Sequence, residues 1–337
     1  MPVVANNFVN LQDPMFSVST LTKGLTDLNL RPHMLGQVLF TESTFIQTTD
    51  FSFDREIYTP QERALQKRGA QPIAADGSYR DNISLPTFQF ARTDQVTGDD
   101  IQNKRQHGLG TMETLASVMV EKNEQHLANL MQTMEKARLE ALQGLVVAED
   151  GSVMVNMWTK LGLTQPTGPT SLNVSGGKII ETLDNIIHNL KLNSSGRIND
   201  ATKFVLLADG GLYTAIKYSE ERRNPYLHKG DVATLHKIGS SFALGDDCEV
   251  IRYAGTLAGL PLNQGLLVPV GVPDMYQTVF APRRTIQGAN QAPTSPYRLS
   301  QTNPQYDGDE LTSVDTKLES HPLVFTPFPN YITSVGL

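Results

Sequence analysis

The chain has 337 residues, a formal net charge of −7 and a single cysteine, Cys248. Its length allows two or three domains of ordinary size, and one cysteine excludes an intrachain disulfide framework. The basic residues are scattered without a dense Lys/Arg run, which argues against a protein that grips nucleic acid directly.

Residues 1–33 are mainly polar, with scattered apolar side chains such as Phe8, Leu11 and Leu21. Such a segment cannot bury enough apolar surface to fold alone, so we predict an arm that lies on another surface. The first seven residues lack the basic and apolar regions of a signal peptide, and no apolar run approaches the length of a membrane span. We therefore expect no membrane partner.

The next part of the chain, residues 34–54, has a β-like pattern. Apolar residues at 38–40, 45–46 and 51–53 lie between Ser, Thr and Asp residues and predict short strands. After an interruption, residues 87–90 predict a further strand, and residues 97–110 lead into a long helix.

The interruption, residues 55–86, has the character of a long hairpin. Residues 57–58 and 83–85 would form its two sides, and the Ala-Asp-Gly-Ser sequence at 75–78 is a turn signal. A two-stranded ribbon is marginal in water without another surface to lie on. It is either a loose surface loop or an arm that reaches a neighbouring subunit, and its open edges and basic side chains favour the arm. These basic side chains are Arg55, Arg63, Lys67, Arg68 and Arg80.

Residues 111–144 contain no proline and no interior glycine, and apolar side chains recur through them at helical spacing. Thr111 is predicted to cap the first turn, and Gly144 to mark the stop. At about 1.5 Å per residue the helix would be roughly 50 Å long, which exceeds the diameter of a small domain. We call it the spine helix, because a helix of this length must support an elongated molecule or pack against other chains.

The remainder of the chain alternates strands and helices. An Asp-Gly pair between the β-rich runs 145–147 and 153–155 predicts a hairpin. Residues 178–271 resemble a separate α/β unit, with a helical apolar stripe at 179–190 and strands at 203–207, 248–253 and 266–270. Residues 286–308 are rich in Gln, Asn, Ser, Thr and Pro, and predict an extended surface connection. The chain ends in two apolar runs, predicted to be strands near the spine helix.

No constellation typical of catalysis stands out. His228 and His236 lie near Asp231, but their spacing matches no zinc signature, and Ser-Gly-Gly-Lys at 175–178 lacks the first glycine of a P-loop. Asp-Gly-Gly at 209–211 lacks the three-glycine dinucleotide fingerprint, and there is no Gly-x-Ser-x-Gly elbow. We predict no catalytic residue, no metal site and no cofactor.

Two segments carry a specific resemblance. Residues 133–144 read Thr-Met-Glu-Lys-Ala-Arg-Leu-Glu-Ala-Leu-Gln-Gly and are followed by Asp-Gly at 150–151, while residues 319–323 read Glu-Ser-His-Pro-Leu. They resemble the Thr-x-Glu…Ala-Leu-x-Gly…Asp-Gly signature and the Glu-Ser-x-Pro-Leu ending of the phage major capsid protein E family, the lambda-like capsid proteins. Residues 34–42 are similar to the family's early Leu-Phe-x-Glu segment, and residues 203–212 to its strand-turn-helix. Residues 55–85 depart from the family's pattern, so no contact is transferred to them.

The resemblance implies an α+β chain with the Hong Kong 97-type capsid fold, which has an N-arm, an E-loop, a P-domain with a long spine helix, and an A-domain. It implies the following division: N-arm 1–33; P-domain strands 34–54; E-loop 55–86; P-domain 87–177 with spine helix 111–144; A-domain 178–271; P-domain return strands and C-terminal tail 272–337.

It further implies a non-enzymatic major capsid protein of a tailed bacteriophage, which self-assembles into the hexamers and pentamers of an icosahedral head that encloses the genome. The expected partners are other copies of the chain, a scaffold, a portal, a decoration protein where one exists, and packaged DNA that is not bound sequence-specifically. The expected location is the virion capsid, after assembly in the host cytoplasm. The predicted inter-subunit contacts are Arg55, Arg63, Lys67 and Arg68.

Two alternatives remain open. The first is another phage structural protein, such as a tail component or an encapsulin-like shell that encloses cargo enzymes instead of a genome. The second is a soluble α+β hydrolase or ligand-binding protein with an unrecognised site. A stable monomer that binds a small molecule would favour the second alternative, whereas capsomers or closed shells would favour a capsid protein.

Overall fold

The computed structural model describes residues 34–57, 68, 79–102, 114–172, 176–221, 241–245, 247–254 and 260–337. The predicted N-arm, residues 111–113 of the predicted spine helix and most of the hairpin tip lie outside these residues. In the described part the helices are α1 (Met34–Val38), α2 (Gly98–Ile101), α3 (Leu115–Leu142), α4 (Met157–Lys160), α5 (Ile179–Asn193) and α6 (Gly210–Lys217), with a 3-10 turn at Pro329–Tyr331.

The strands form five separate sheets within the described residues. In chain order they are β1 (Ser43–Phe45), β2 (Asp50–Ile57), β3 (Tyr79–Pro86), β4 (Phe90–Thr97), β5 (Leu145–Val147), β6 (Val153–Asn156), β7 (Thr170–Ser171), β8 (Lys203–Ala208), β9 (Ser241–Ala243), β10 (Cys248–Arg252), β11 (Gln264–Val270), β12 (Gln277–Phe280), β13 (Arg298–Asp307), β14 (Glu310–Ser320), β15 (Pro322–Phe325) and β16 (Thr333–Gly336).

The spine helix is α3, whose 28 residues span about 42 Å. Thr114 is its N-cap and accepts a hydrogen bond from the Ser117 amide at 3.2 Å, so the predicted cap at Thr111 is wrong by three residues. Gly144 follows the last turn with φ +76°, a left-handed conformation that glycine adopts without steric cost. The predicted stop at Gly144 is confirmed.

One side of the spine helix lies on an antiparallel sheet of order β13–β14–β4. Met119 of the helix is fully buried against Val96 of β4 and Val314 of β14. Residues 298–307, predicted as part of a surface connection, instead form β13 and pair with β14 from Arg298 to Asp307. That prediction is wrong because the polar side chains of β13 suit a half-exposed strand that pairs with a partner distant in sequence.

Residues 203–208 and 264–270 form the centre of a six-stranded sheet of order β7–β16–β11–β8–β10–β9. Strands β8 and β10 are parallel, and β11 is antiparallel to β8, so both edges of β8 are paired. Five of the six residues of β8 are buried. Helix α6 packs on this sheet. The predicted helix at 179–190 and the predicted strands are confirmed as α5, β8, β10 and β11.

The two C-terminal apolar runs are strands, as predicted, but they join different sheets. Strand β15 pairs with β12 in a sheet of order β1–β12–β15, in contact with the spine helix. Strand β16 pairs with β11 and therefore belongs to the six-stranded sheet.

The short strand predicted at residues 38–40 is wrong. Val38 is the last residue of helix α1, and the Leu39 amide donates a hydrogen bond to the Leu35 carbonyl.

The hairpin predicted after the spine helix is confirmed as β5–β6. The Asp150 carboxylate accepts hydrogen bonds from the Ser152 amide (2.9 Å) and hydroxyl (2.6 Å), and Gly151 takes φ +83°. The Trp158 indole that follows donates to the Gln143 carbonyl at 2.9 Å and ties this hairpin to the end of the spine helix.

Candidate assembly surfaces

The β2–β3 hairpin has one apolar and one polar face. Its paired residues are in register from Asp50–Pro86 to Ile57–Tyr79. On the inner face Phe51 and Phe53 pack on Phe325 of β15, with ring centroids 5.5 and 5.8 Å apart, and Ile83 and Leu85 are buried in the same cluster. This alternation with period two explains why the ribbon is stable at its base: apolar side chains from both strands lie on the body of the chain.

The outer face of the hairpin base carries polar cross-strand pairs. The Ser52 and Ser84 hydroxyls are 3.2 Å apart, and the Asn82 amide donates to the Asp54 carboxylate at 2.7 Å. Arg80 and Glu56 form an exposed ion pair at 3.5 Å. Pairs of this kind set the register of the ribbon but leave its outer face suited to water or to a polar partner.

Arg55, one of the predicted inter-subunit contacts, lies on the inner face of β2. Its guanidinium donates to the Leu161 carbonyl at 2.9 Å, across 106 residues of the chain. It therefore ties the hairpin to its own subunit. Arg68 is exposed in a turn, while Arg63 and Lys67 lie outside the described residues, so the four predicted residues are not brought together in one place by the described geometry.

The spine helix carries a buried carboxylate that the sequence analysis missed. Glu135 is 0% exposed; its Oε1 accepts from the Leu35 amide of α1 at 3.0 Å and from the Tyr253 hydroxyl at 3.4 Å, while its Oε2 lies 3.6 Å from Arg138 Nη1. Burial lowers the pKa of Arg138, and the nearby Glu135 carboxylate opposes that shift. One side chain thus joins α1, the spine helix and the end of β10. In the sequence, only the position of Glu135 on the same helical stripe as Leu127, Leu130 and Met134 could have indicated that its carboxylate is buried.

Two other polar residues of the spine helix, Asn123 and His126, are buried where it crosses β14 and β4. Asn123 accepts a hydrogen bond from the Thr316 hydroxyl of β14. Burial lowers the pKa of His126; Lys122 and Arg92 lower it further, and Asp94 opposes them. Lys122 also donates to the Gln95 carbonyl of β4 at 2.6 Å. Helix and sheet are therefore held in a defined relation by polar contacts as well as by packing.

The Glu-Ser-His-Pro-Leu segment at 319–323 is a buried junction. The Glu319 carboxylate lies 3.0 Å from His321 Nε2 and 3.2 Å from Lys317 Nζ. Burial alone would raise the pKa of Glu319, but the hydrogen bonds from His321 and Lys317 bring it below its ordinary value. The Ser320 hydroxyl donates to the Pro296 carbonyl at 2.6 Å. These contacts give each polar residue of the motif a structural role.

A groove of about 440 Å³ runs between the second half of the spine helix and the β5–β6 hairpin. Its walls include Phe90, Ala137 and Met154, and Met154 is 54% exposed. Two carboxylates border it. Glu140 forms an ion pair with Lys136 at 3.6 Å, and Glu149, with a side chain 88% exposed, forms one with Arg92 at 3.2 Å. Burial raises the pKa of Glu140. Lys136 and Arg92 line the same groove, so its floor is apolar and its rim carries two ion pairs rather than net negative charge.

No described cluster points to catalysis. Across the described ranges, no three His, Cys, Asp or Glu side chains are placed to hold a metal ion, and His228, Asp231 and His236 fall outside those ranges. Asp209 caps α6 through the Gly211 amide (3.0 Å) and also accepts from the Asn263 amide (3.1 Å). Burial raises the pKa of Cys248 to about 12.

In the part of the chain that is described, no helix is both long and apolar enough to cross a membrane.

Residues 17–336 match the family model described as phage major capsid protein E. No curated protein matches the chain. Among solved structures, the chain is similar to the asymmetric unit of the bacteriophage PhiM1 mature capsid, with a TM-score of 0.54, 14% identity, and coverage of 88% of this chain and 84% of that one.

Two further structures have similar folds. The capsid of Myoviridae phage XM1 aligns with a TM-score of 0.52 and 8% identity, over 90% of this chain and 92% of that one. The chain of Mycobacterium phage Che8 aligns with a TM-score of 0.51 and 11% identity, over 89% and 91%. At these identities the likeness concerns the fold, and it extends over nearly the whole of each chain.

Proposed function

The chain belongs to the phage major capsid protein E family and is a major capsid protein of a tailed phage, and we propose that each copy binds its neighbour through the tip of the β2–β3 hairpin. Self-association into an icosahedral capsid follows from the family. The predicted fold class, the Hong Kong 97-type capsid fold, is confirmed by the solved structures above.

The attachment of the hairpin base is the observation that carries this proposal. The base is fixed to its own subunit by Phe51, Phe53 and Arg55, so it can hold a projecting tip in a set direction. Residues 58–78 of the tip contain Arg63, Lys67 and Arg68 with apolar Leu65 and Ile73 between and after them. In this proposal the tip, and not the base, supplies the inter-subunit contacts, and Arg55 acts as an intrachain anchor.

The groove beside the spine helix of the neighbouring copy is the proposed receiving surface. Its apolar walls match the apolar residues of the tip. Its rim carboxylates Glu140 and Glu149 pair with Lys136 and Arg92 of the same rim, and in this proposal Glu149, whose side chain is 88% exposed, exchanges Arg92 for a basic residue of the tip. Single exposed ion pairs contribute little, about 0.2–1 kcal/mol each, but each contact is repeated at every subunit of a closed shell. Weak repeated contacts allow misplaced subunits to dissociate before the shell closes.

The proposed assembly follows the division inferred from the sequence, with 1–33 as N-arm, 55–86 as E-loop, 178–271 as A-domain and the remainder as P-domain. Hexamers and pentamers would form in the host cytoplasm around a scaffold and a portal, with a decoration protein where one exists. Packaged DNA would lie against the inner face without sequence-specific binding, because the net charge of −7 does not favour tight retention of a polyanion.

A charge exchange tests the proposed contact. Glu149→Lys should raise the protein concentration needed for shell formation severalfold, as measured by light scattering and negative-stain electron microscopy, and Arg68→Glu in the same chain should restore assembly. Asp200→Lys is the matched control, since Asp200 is an equally exposed acid in an ion pair, with Lys191 at 2.9 Å. Normal assembly of the Glu149→Lys variant, or no rescue by Arg68→Glu, would contradict the proposed contact.

A further inference from the structure

A cleft of about 330 Å³ lies between the end of α1 and the turn that joins β11 to β12. Leu39 and Met275 form part of a buried apolar floor, and Val38 is 36% exposed beside them. Two exposed carboxylates, Glu42 and Asp274, line the same cleft. Neither carboxylate has an ion-pair or hydrogen-bond partner among the described residues. The cleft therefore combines apolar surface with negative charge that the described part of the chain does not neutralise.

The connection between β12 and β13 carries an exposed turn at residues 283–288. The Gly288 amide donates to the Thr285 carbonyl at 3.0 Å and to its hydroxyl at 3.1 Å, so the turn is held by its own hydrogen bonds. Ile286 in this turn is 100% exposed. Arg284 is also exposed, and no described residue forms an ion pair with it. Single exposed apolar residues are common on protein surfaces, but here one lies two residues from an unpaired guanidinium.

The turn and the cleft are complementary in charge and in polarity. Among the described residues that line the cleft, none is Lys, Arg or His, so a guanidinium that enters it meets two carboxylates and no competing cation. A charge pair that forms in a partly enclosed cleft is screened less by water than a fully exposed pair. The groove beside the spine helix differs in this respect, because both of its carboxylates already have basic partners.

Within one chain the turn and the cleft do not meet. The cleft is lined by residues between 38 and 42 and between 270 and 277, with none from the turn, and the full exposure of Ile286 shows that it is outside the cleft. A contact between the two surfaces therefore needs a second copy. Because the surfaces are different, such a contact repeats head to tail and gives a ring where the rotation closes.

We propose that the cleft receives the 283–288 turn of a second copy of this chain, with Arg284 between Glu42 and Asp274 and with Ile286 on the apolar floor. A guanidinium has donors enough to bind two carboxylates at once. The proposal rests on the self-association of the chain but not on the hairpin contact. The two contacts use different residues, so a test of one can fail while the other succeeds.

Disulfide trapping between two variants of the full chain tests the placement. Shells assembled from a mixture of the Ile286→Cys and Val38→Cys variants and treated with oxidised glutathione should contain a 38–286 disulfide between chains, identified by peptide mass spectrometry. Leu192→Cys, at a position 67% exposed on α5, is the matched control and should form no disulfide with the Val38→Cys variant. Absence of the 38–286 disulfide overturns the proposal, as does a 286–286 disulfide in shells of the Ile286→Cys variant alone.

A charge exchange gives a second test that does not need cysteine. Arg284→Glu should raise the protein concentration needed for assembly severalfold while the urea midpoint of the subunit stays unchanged, because Arg284 has no ion-pair partner among the described residues. Glu42→Lys in the same chain should restore part of the loss, since Asp274 remains. Lys160→Glu, the same change of charge at another exposed position, should assemble normally.

Three results overturn the proposal: normal assembly of the Arg284→Glu variant, equal impairment by Lys160→Glu, or no recovery with Glu42→Lys. Failure of the hairpin contact has a different signature. In that case Glu149→Lys assembles normally, whereas Arg284→Glu is still impaired and still recovers with Glu42→Lys.

Discussion

The spine helix and the β2–β3 hairpin are both long elements, but they are attached to the molecule in different ways. The spine helix is held along its length, with residues from Val118 to Leu142 buried against several sheets and with the polar groups of Asn123 and Glu135 enclosed. The hairpin base is held on one face, by Phe51 and Phe53 on Phe325, by the buried side chains of Ile83 and Leu85, and by a hydrogen bond from Arg55.

This difference separates an element that is enclosed along its length from a ribbon whose described base lies on the body with one face. Buried polar contacts are sensitive to geometry, because a misplaced partner leaves a charge or a donor unsatisfied. Apolar contact on one face tolerates small shifts of the ribbon. In the proposed assembly, the spine helix belongs to the rigid body and the hairpin is the extension that adjusts to neighbours.

The largest expected effect is at the buried carboxylate of the spine helix. Glu135→Ala should lower the free energy of unfolding by about 3–5 kcal/mol, because it leaves Arg138 buried without its countercharge and removes the acceptor of the Leu35 amide. Urea denaturation measures the loss. Glu121→Ala, at an exposed position of the same helix, should change stability by less than about 0.5 kcal/mol. If Glu135→Ala and Glu121→Ala lowered the free energy of unfolding equally, the buried polar contacts of the spine helix would not be what fixes its position.

The next effect concerns the apolar attachment of the hairpin. Phe325→Ala should destabilise the chain by about 3 kcal/mol, because it removes the ring on which Phe51 and Phe53 pack. Hydrogen exchange should accelerate most in β2 and β3 and least in β8, the centre of the six-stranded sheet. Phe325→Leu, which preserves most of the volume, should restore most of the protection. Uniform acceleration in β2 and β8 would show that the hairpin base is not a locally attached unit.

A smaller effect separates the intrachain role of Arg55 from an inter-subunit one. Arg55→Met should cost about 1–2 kcal/mol of subunit stability, because it removes a charged donor from the Leu161 carbonyl and keeps the apolar stem. Arg80→Met is the control on the paired strand: its ion pair is exposed, so the loss should stay below about 0.5 kcal/mol. An unchanged urea midpoint combined with impaired assembly would restore Arg55 as an inter-subunit contact.

The smallest effect is a pH dependence from the spine helix. Burial lowers the pKa of His126 from its ordinary value of 6.5, so below pH 6.5 the unfolded chain binds a proton more readily than the folded chain. Stability should therefore fall as the pH decreases from 6.5, by at most about 1.4 kcal/mol per pH unit from this group. His126→Gln should flatten that slope in urea titrations, and His188→Gln, at an exposed position, should leave it unchanged. An unaltered slope in the His126→Gln variant would show that His126 is protonated as readily in the folded chain.

The elements with strong local signals were predictable from the sequence. The spine helix, the β5–β6 hairpin with its Asp-Gly turn, and strands β8 and β11 of the six-stranded sheet all follow from periodicity and turn chemistry. The family resemblance, carried by residues 133–151 and 319–323, is confirmed by the match over residues 17–336. In these segments the local preference for helix, strand or turn agrees with the secondary structure that the tertiary contacts require, so the local sequence pattern suffices to predict them.

The errors occur where distant residues decide the structure. The apolar run at 38–40 suits a strand, but contact with the spine helix favours α1. Strand β13 is polar and exists because it pairs with β14, and β16 joins a sheet formed mostly by residues 203–270. The buried position of Glu135 and the intrachain hydrogen bond of Arg55 depend on partners about 100 residues away. No pattern within a single segment contains that information.

The central claim is that the hairpin is anchored in its own subunit and completes its contacts on another. A cryo-electron-microscopy reconstruction of shells assembled from the purified chain tests it most directly. We predict that residues 63–68 of one copy lie at the groove formed by the spine helix and β5–β6 of a neighbouring copy, while Arg55 keeps its contact with Leu161. Density that places residues 63–68 along the spine helix of their own subunit would contradict the claim.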